Sequence, residues 1–138
     1  MKVADIAEKS FIIKDSKTPS GNREVPIHDR LQDFIKKLKN SSQDGYLLSG
    51  LSEDKDGKPS GAIGKRFGRL KNQLDFERRY VFHSFQKTVV TLLEQAGISE
   101  NLAADIVGHE KPRITYGLYS GGSSLEQKLK AINLINYC

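Results

Sequence analysis

The chain has 138 residues, of which 28% are charged and 37% hydrophobic. This suits one domain, residues 1–138, with a real core, since a chain of about 150 residues buries roughly 70% of its unfolded surface; it excludes a disordered polyelectrolyte. No apolar stretch approaches the ~20 residues of a membrane span. Residues 1–10 (MKVADIAEKS) hold no signal-peptide core, and the one cysteine, Cys138, has no partner for a disulfide or a metal cluster. A reducing cytoplasm and no membrane association are therefore expected.

SFIIKD (10–15) and EVPIHD (24–29) read as two short strands, with Ile12, Ile13, Val25 and Ile27 as β-branched residues. The turn formers of SKTPSGNR between them make this a hairpin with a longish tip. RLQDFIKKLKN (30–40) is an amphipathic helix, with Leu31, Phe34, Ile35 and Leu38 on one face and Asp29 as its cap. YLLS (46–49) is a strand or extended piece, and GLSEDKDGKPSG (50–61) is a polar loop whose acidic run lacks the spacing of a calcium loop. AIGKRFGRLKNQL (62–74) is helical, with Ile63, Phe67, Leu70 and Leu74 together.

SFQKTVVTLLEQAG (84–97) is the clearest helix, with Phe85, Val89, Leu92, Leu93 and Ala96 as its apolar face and Gly97 as its terminator. SENLAADIVGH (99–109) is a second, capped by Ser99 and ended by Gly108. The C-terminal helix and tail, residues 123–138, open with Ser123 and Glu126 at capping-box spacing; Leu125, Leu129, Ile132 and Ile135 form the apolar face. The fold class is mainly α with a small antiparallel sheet, an α+β domain.

The net charge is +5, and its distribution favours an anionic partner. From 58 to 91 the basic residues include Lys65, Arg66, Arg69 and Lys87, while the acidic ones are Asp75 and Glu77. Lys65, Arg69 and Asn72 share a helix face that could track a phosphate backbone, although a solvated helix face has the same appearance.

A His before one helix, a His after the next and a Tyr ten residues on make an unusual set: His83, His109 and Tyr119. Singly, they read as a helix cap, a residue favoured by a helix C-terminus and a packing tyrosine. Jointly, HSFQKTVVTLLEQAG followed by AADIVGHEKPRITYGLYSGG resembles the catalytic domain of tyrosine recombinases of the phage-integrase type. The likeness is close over 83–122 and looser over FIIKDSKTPSGNREVPIHDRL (11–31), which resembles that family's hairpin with a catalytic Lys at its tip and an R-x-V-P strand.

The resemblance implies a DNA strand transferase of mobile elements, acting in integration or recombination on double-stranded DNA without metal or other cofactor. A Tyr hydroxyl attacks a phosphodiester, forms a 3′-phosphotyrosyl link and releases a 5′-hydroxyl. Negative charge gathers on the phosphate oxygens in the transition state, so cationic donors are needed there, and Arg suits the task through its planar fork. Carried over, Tyr119 is the nucleophile, with Tyr116 as competitor, because Thr115 to Tyr119 repeats the family's spacing. His109 is the donor to the scissile phosphate, His83 transfers a proton or positions the phosphate, and Lys17 is the general acid ahead of Lys14.

The pattern departs from the family at two points. Its second Arg falls at Gln86, whose amide donates a hydrogen bond but brings no charge; its first belongs to a helix that would precede Met1. A prophage remnant, a shortened chain or an altered residue would each give this pattern. The expectation is a protein that binds DNA but is inactive alone. The alternative is an interaction module that self-associates through its C-terminal helix.

Overall fold

A computed structural model describes residues 1–14, 16, 21–52, 60–111 and 121–136, with residue 60 described in its backbone only. Lys17, Thr115, Tyr116, Tyr119, Cys138 and the acidic part of the 50–61 loop lie outside the described residues.

The described residues contain a two-stranded antiparallel sheet and five α-helices, the coarse α+β class expected. Strand β1 (Ser10–Ile13) pairs with β2 (Arg23–Pro26), Ser10 opposite Pro26 and Ile13 opposite Arg23. Pro26, which has no N–H for a ladder, ends its strand, as the chemistry requires. Helix α1 is Asp29–Ser41, α2 is Ser60–Gln73, α3 is Ser84–Gln95, α4 is Glu100–Val107 and α5 is Leu125–Asn133. Among these helices none is long and apolar enough to cross a membrane.

The core lies where α3, α4 and α5 meet. Leu93, Ile106, Val107, Ala131 and Ile135 are buried together, with Val89, Val90, Leu92, Ile98, Leu102 and Ile132 packed around them. The inner face of α5 is thus buried within the same chain. The hairpin closes this layer: β2 packs on α4 and α5, and the buried Lys128 of α5 sends its ammonium to the Glu24 carbonyl at 2.6 Å. The aliphatic stem of a lysine can lie along apolar surface while its charged end finds an acceptor. The N-terminus of α1 is latched to the end of α5, with the Asp29 N–H donating to Asn133 Oδ1 at 2.9 Å and His28 Nε2 3.2 Å from the Ile135 carbonyl.

Two caps differ by one residue from the sequence expectation. His28, not Asp29, caps α1, its Nδ1 accepting from the Arg30 N–H; Asp29 is the first helical residue. The capping box of α5 is Ser124 with Gln127, not Ser123 with Glu126, because Ser123 is engaged by Asp105. Ser99, Gly97 and Gly108 act as expected: Ser99 accepts from the Leu102 N–H, and both glycines take left-handed backbone, with φ of +73° and +79°.

Several expected core faces are exposed. Leu31 and Phe34 of α1, Leu70 and Leu74 of α2, and Phe85 of α3 each leave half or more of their surface in solvent. In place of an expected strand or extended piece at 46–49, Tyr46 forms one isolated antiparallel bridge with Lys2, with the Val3 N–H on the Gly45 carbonyl and the Leu47 N–H on that of Met1.

Candidate functional site

Gly-His at 108–109 is the centre of the site, and three elements converge on it. The chain leaves α4 through Gly108, whose positive φ turns it sharply away from the helix axis; a side chain there would be strained. The Gly108 N–H bonds the Ala104 carbonyl at 2.8 Å and the His109 N–H the same carbonyl at 3.1 Å.

The next carbonyls of α4 are satisfied from other elements. Arg23 of β2 donates from Nε to the Ile106 carbonyl at 3.0 Å and from Nη1 to that of Gly21 at 2.9 Å. Its guanidinium lies across Gly108, filling the space a Cβ would take. Burial lowers the Arg23 pKa from its ordinary value. A cation at a helix C-terminus meets the negative end of the helix dipole.

Gln86 of α3 covers the following carbonyl, donating from Nε2 to Val107 at 3.2 Å, and the same nitrogen lies 3.3 Å from His109 Nε2. The assignment follows from donor chemistry. A carbonyl only accepts, so the amide nitrogen must face Val107; its second hydrogen then faces His109. His109 Nε2 is therefore an acceptor, and the proton of the neutral ring sits on Nδ1. The imidazole nitrogen turned toward α3 is occupied by Gln86.

Of the expected site residues, the structure brings Gln86 and His109 into contact. His83 stands at the N-cap position of α3, one turn before Gln86, exposed; its ring caps nothing and has no hydrogen-bond partner among the described residues. Lys65, Arg66 and Arg69 are exposed on α2, and Lys87 is exposed on α3 next to Gln86. Lys17 and Tyr119 lie outside the described residues.

His109 also borders a cavity of about 530 Å³. Glu94, Glu100 and Glu110 share its lining with Val90, Ile98 and Val107. Three carboxylates there oppose a phosphate. Among the described residues no group of His, Cys, Asp and Glu has the arrangement of a metal site.

Two residues were not singled out in the sequence. Arg23 appeared only as the first letter of the strand REVP; the signal that could have marked it is a cation at the start of that strand, but nothing local points it toward α4. Asp105 looked like one polar residue on the face of α4. It accepts from Lys111 Nζ at 2.7 Å, from the Ser123 N–H at 2.8 Å and from the Ser123 hydroxyl at 2.7 Å.

A shallow apolar groove of about 580 Å³ lies between α1, α2 and the start of α3, with Leu38, Leu47, Ile63, Phe67, Phe82 and Phe85 among its lining residues. Phe67 meets Phe82 and Phe85 edge-on at 5.5 and 5.6 Å.

Comparison with family models, curated proteins and solved structures finds no match for this chain.

Proposed function

We propose that this chain carries a catalytic domain of the phage-integrase type of tyrosine recombinase, one that binds duplex DNA without cleaving it. The observation that carries the reading is the contact of Gln86 with His109. The resemblance pairs these two positions as phosphate ligands, and Gln86 of α3 lies against His109 in the turn that ends α4. DNA would lie over the exposed basic residues Lys65, Arg66, Arg69 and Lys87, with the backbone drawn by charge rather than by base readout.

The same contact supports silence in cleavage. An Arg at 86 would supply a charged fork to the non-bridging oxygens; an amide supplies no charge, and both of its N–H donors are engaged by Val107 and His109. Gln86 also holds the His109 nitrogen that would otherwise be turned toward α3. Arg23 is a cation at this corner, and its Nε and Nη1 are spent on carbonyls.

Two measurements on the 138-residue chain test this. Gel shifts at low salt should show binding of unrelated duplexes with similar affinity, weakening steeply as salt rises. A nicked substrate that traps a phosphotyrosyl link should give no covalent adduct. An adduct would overturn the silent-site reading; no binding at low salt would overturn the recombinase reading.

A further inference from the structure

We propose that Phe76 and Tyr80, in the turn that joins α2 to α3, form a stacking site for unpaired bases of single-stranded DNA. Residues 72–83 are exposed without a break. Phe76 leaves 51% of its surface in solvent and Tyr80 39%, although an aromatic ring gains most when it is buried. Scattered exposed apolar residues need no explanation, but two rings together in one turn do. The site uses residues that the Gln86–His109 contact does not; the choice of DNA as the strand rests on the DNA-binding reading above.

The backbone presents the two rings in a fixed arrangement. Helix α2 ends with the Asp75 N–H on the Asn72 carbonyl at 3.3 Å and the Phe76 N–H on the Lys71 carbonyl at 3.1 Å, with Asp75 in left-handed backbone at a φ of +54°. This paired closure of a helix C-terminus fixes where Phe76 leaves α2. A turn follows, closed by the Tyr80 N–H on the Glu77 carbonyl at 3.1 Å. Tyr80 lies edge-on to Phe76, with ring centroids 5.5 Å apart. Arg79 holds Tyr80 in turn. Its guanidinium carbon is 5.1 Å from the ring centroid, while its Nε and Nη2 meet the Glu77 carboxylate at 3.1 and 3.2 Å. The rings are thus set by hydrogen bonds and a cation rather than by a hydrophobic core, and rings already in place lose little freedom on binding.

A base fits this surface better than other occupants. An aromatic ring stacks on a base whose face is open; in a duplex those faces are covered by neighbouring pairs, whereas a single strand offers one at every nucleotide. Proteins that hold single strands combine such rings with cations along the phosphates. Here Lys65, Arg66 and Arg69 are exposed on the preceding helix, and the exposed Arg78 stands between the two rings in the chain, with no ion pair among the described residues. The acidic Glu77 is already matched by Arg79. A partner helix would instead take the apolar groove, which Phe82 and Phe85 line and Phe76 and Tyr80 do not. A lipid surface would draw Asp75 and Glu77 into the headgroup layer along with the rings, a desolvation that stacking on a single base avoids.

Fluorescence anisotropy on the 138-residue chain tests this, with a labelled oligo-dT of about 16 nucleotides, a duplex of the same length and a strand of the same length whose sugars carry no bases. Wild type should bind oligo-dT roughly fivefold or more tightly than the abasic strand, because the phosphates are equal and only stacking differs. Phe76→Ala and Tyr80→Ala should each weaken oligo-dT binding by a similar factor, with the salt dependence and the duplex affinity unchanged. Tyr80→Phe, which keeps the ring, should keep the affinity. Thermal melts of these variants should match wild type, since neither ring belongs to the core cluster. Equal binding of oligo-dT and the abasic strand by wild type would overturn the proposal whatever the variants do, and so would ring substitutions that weaken the duplex as much as oligo-dT. A ring effect on oligo-U but not on oligo-dT would overturn the assignment to DNA. One confined to vesicles of phosphatidylcholine with phosphatidylserine would overturn it in favour of a membrane contact. If the duplex does not bind while oligo-dT binding depends on the rings, the recombinase reading falls and the stacking site stands; if the duplex binds and the rings do not matter for oligo-dT, the reverse holds.

Discussion

The side-chain amide of Gln86 lies 3.3 Å from Nε2 of His109 while donating to the Val107 carbonyl, so one short polar residue joins α3 to the turn that ends α4. This makes the tautomer of His109 a checkable consequence. Nitrogen-15 spectra should find the neutral ring protonated at Nδ1, and Gln86→Leu should release that preference. The contact also bears on repair. Gln86→Arg can keep the Val107 bond, since a guanidinium has five donors, and direct its remaining N–H groups outward. It is nevertheless expected not to restore strand cleavage alone. On the recombinase reading, which calls for two cationic donors, lacking one costs on the order of 2.7–4 kcal/mol, and lacking both would cost about 6–8 if their effects add. A chain carrying both Gln86→Arg and the Arg helix that the resemblance places ahead of residue 1 should form an adduct; Tyr119→Phe should abolish it, and Tyr116→Phe should not. An adduct from Gln86→Arg alone would show that the second cation is dispensable.

Gly108→Ala should be among the most damaging small substitutions in this region. The residue has φ of +79°, and a methyl group there meets the Arg23 guanidinium. Left-handed backbone costs an L-residue about 1–2 kcal/mol, and displacing Arg23 from the Ile106 carbonyl adds about 1 kcal/mol. A melting temperature lowered by roughly 5–10 °C is expected by calorimetry. Gly64→Ala lies mid-helix in open space and should be neutral or slightly stabilising. A Gly108→Ala protein as stable as wild type would show that Arg23 is not held there.

Lys65→Ala with Arg69→Ala tests the basic face. Both side chains are exposed on α2, so their loss should leave folding intact. If each meets one phosphate, the slope of log affinity against log salt should become shallower by about two units. An unchanged slope would remove α2 from the proposed DNA-binding surface.

The apolar belt around the 580 Å³ groove should bind hydrophobic dyes and promote self-association. Phe82 and Phe85 are 57% and 59% exposed, and Leu70 and Leu74 are 52% and 58% exposed. Replacing Leu70 and Leu74 with Ser should reduce dye binding and shift sedimentation toward monomer, with little change in melting temperature, because neither side chain is in the core. A wild-type chain that sediments as monomer and binds no dye would contradict this.

Local chemistry made much of the fold legible. Apolar spacing marked each of the five helices, β-branched residues and turn formers marked the hairpin, and Ser99, Gly97 and Gly108 marked ends that depend only on neighbouring backbone groups. Tertiary structure decided three further matters. It decided which faces are covered, because periodicity places Leu31, Phe34, Leu70 and Leu74 on common stripes without saying whether anything packs there. It decided two caps, because Ser123 is taken by a carboxylate eighteen residues away and His28 gains a partner at Ile135. And it decided the surroundings of His109, where the spacing of HSFQ and GH placed Gln86 near the site but not on its imidazole nitrogen. Arg23 reaches the Ile106 carbonyl across 83 residues of chain, a contact that no local pattern encodes, because its energy comes from filling the space above a glycine and meeting a helix end that only packing brings near.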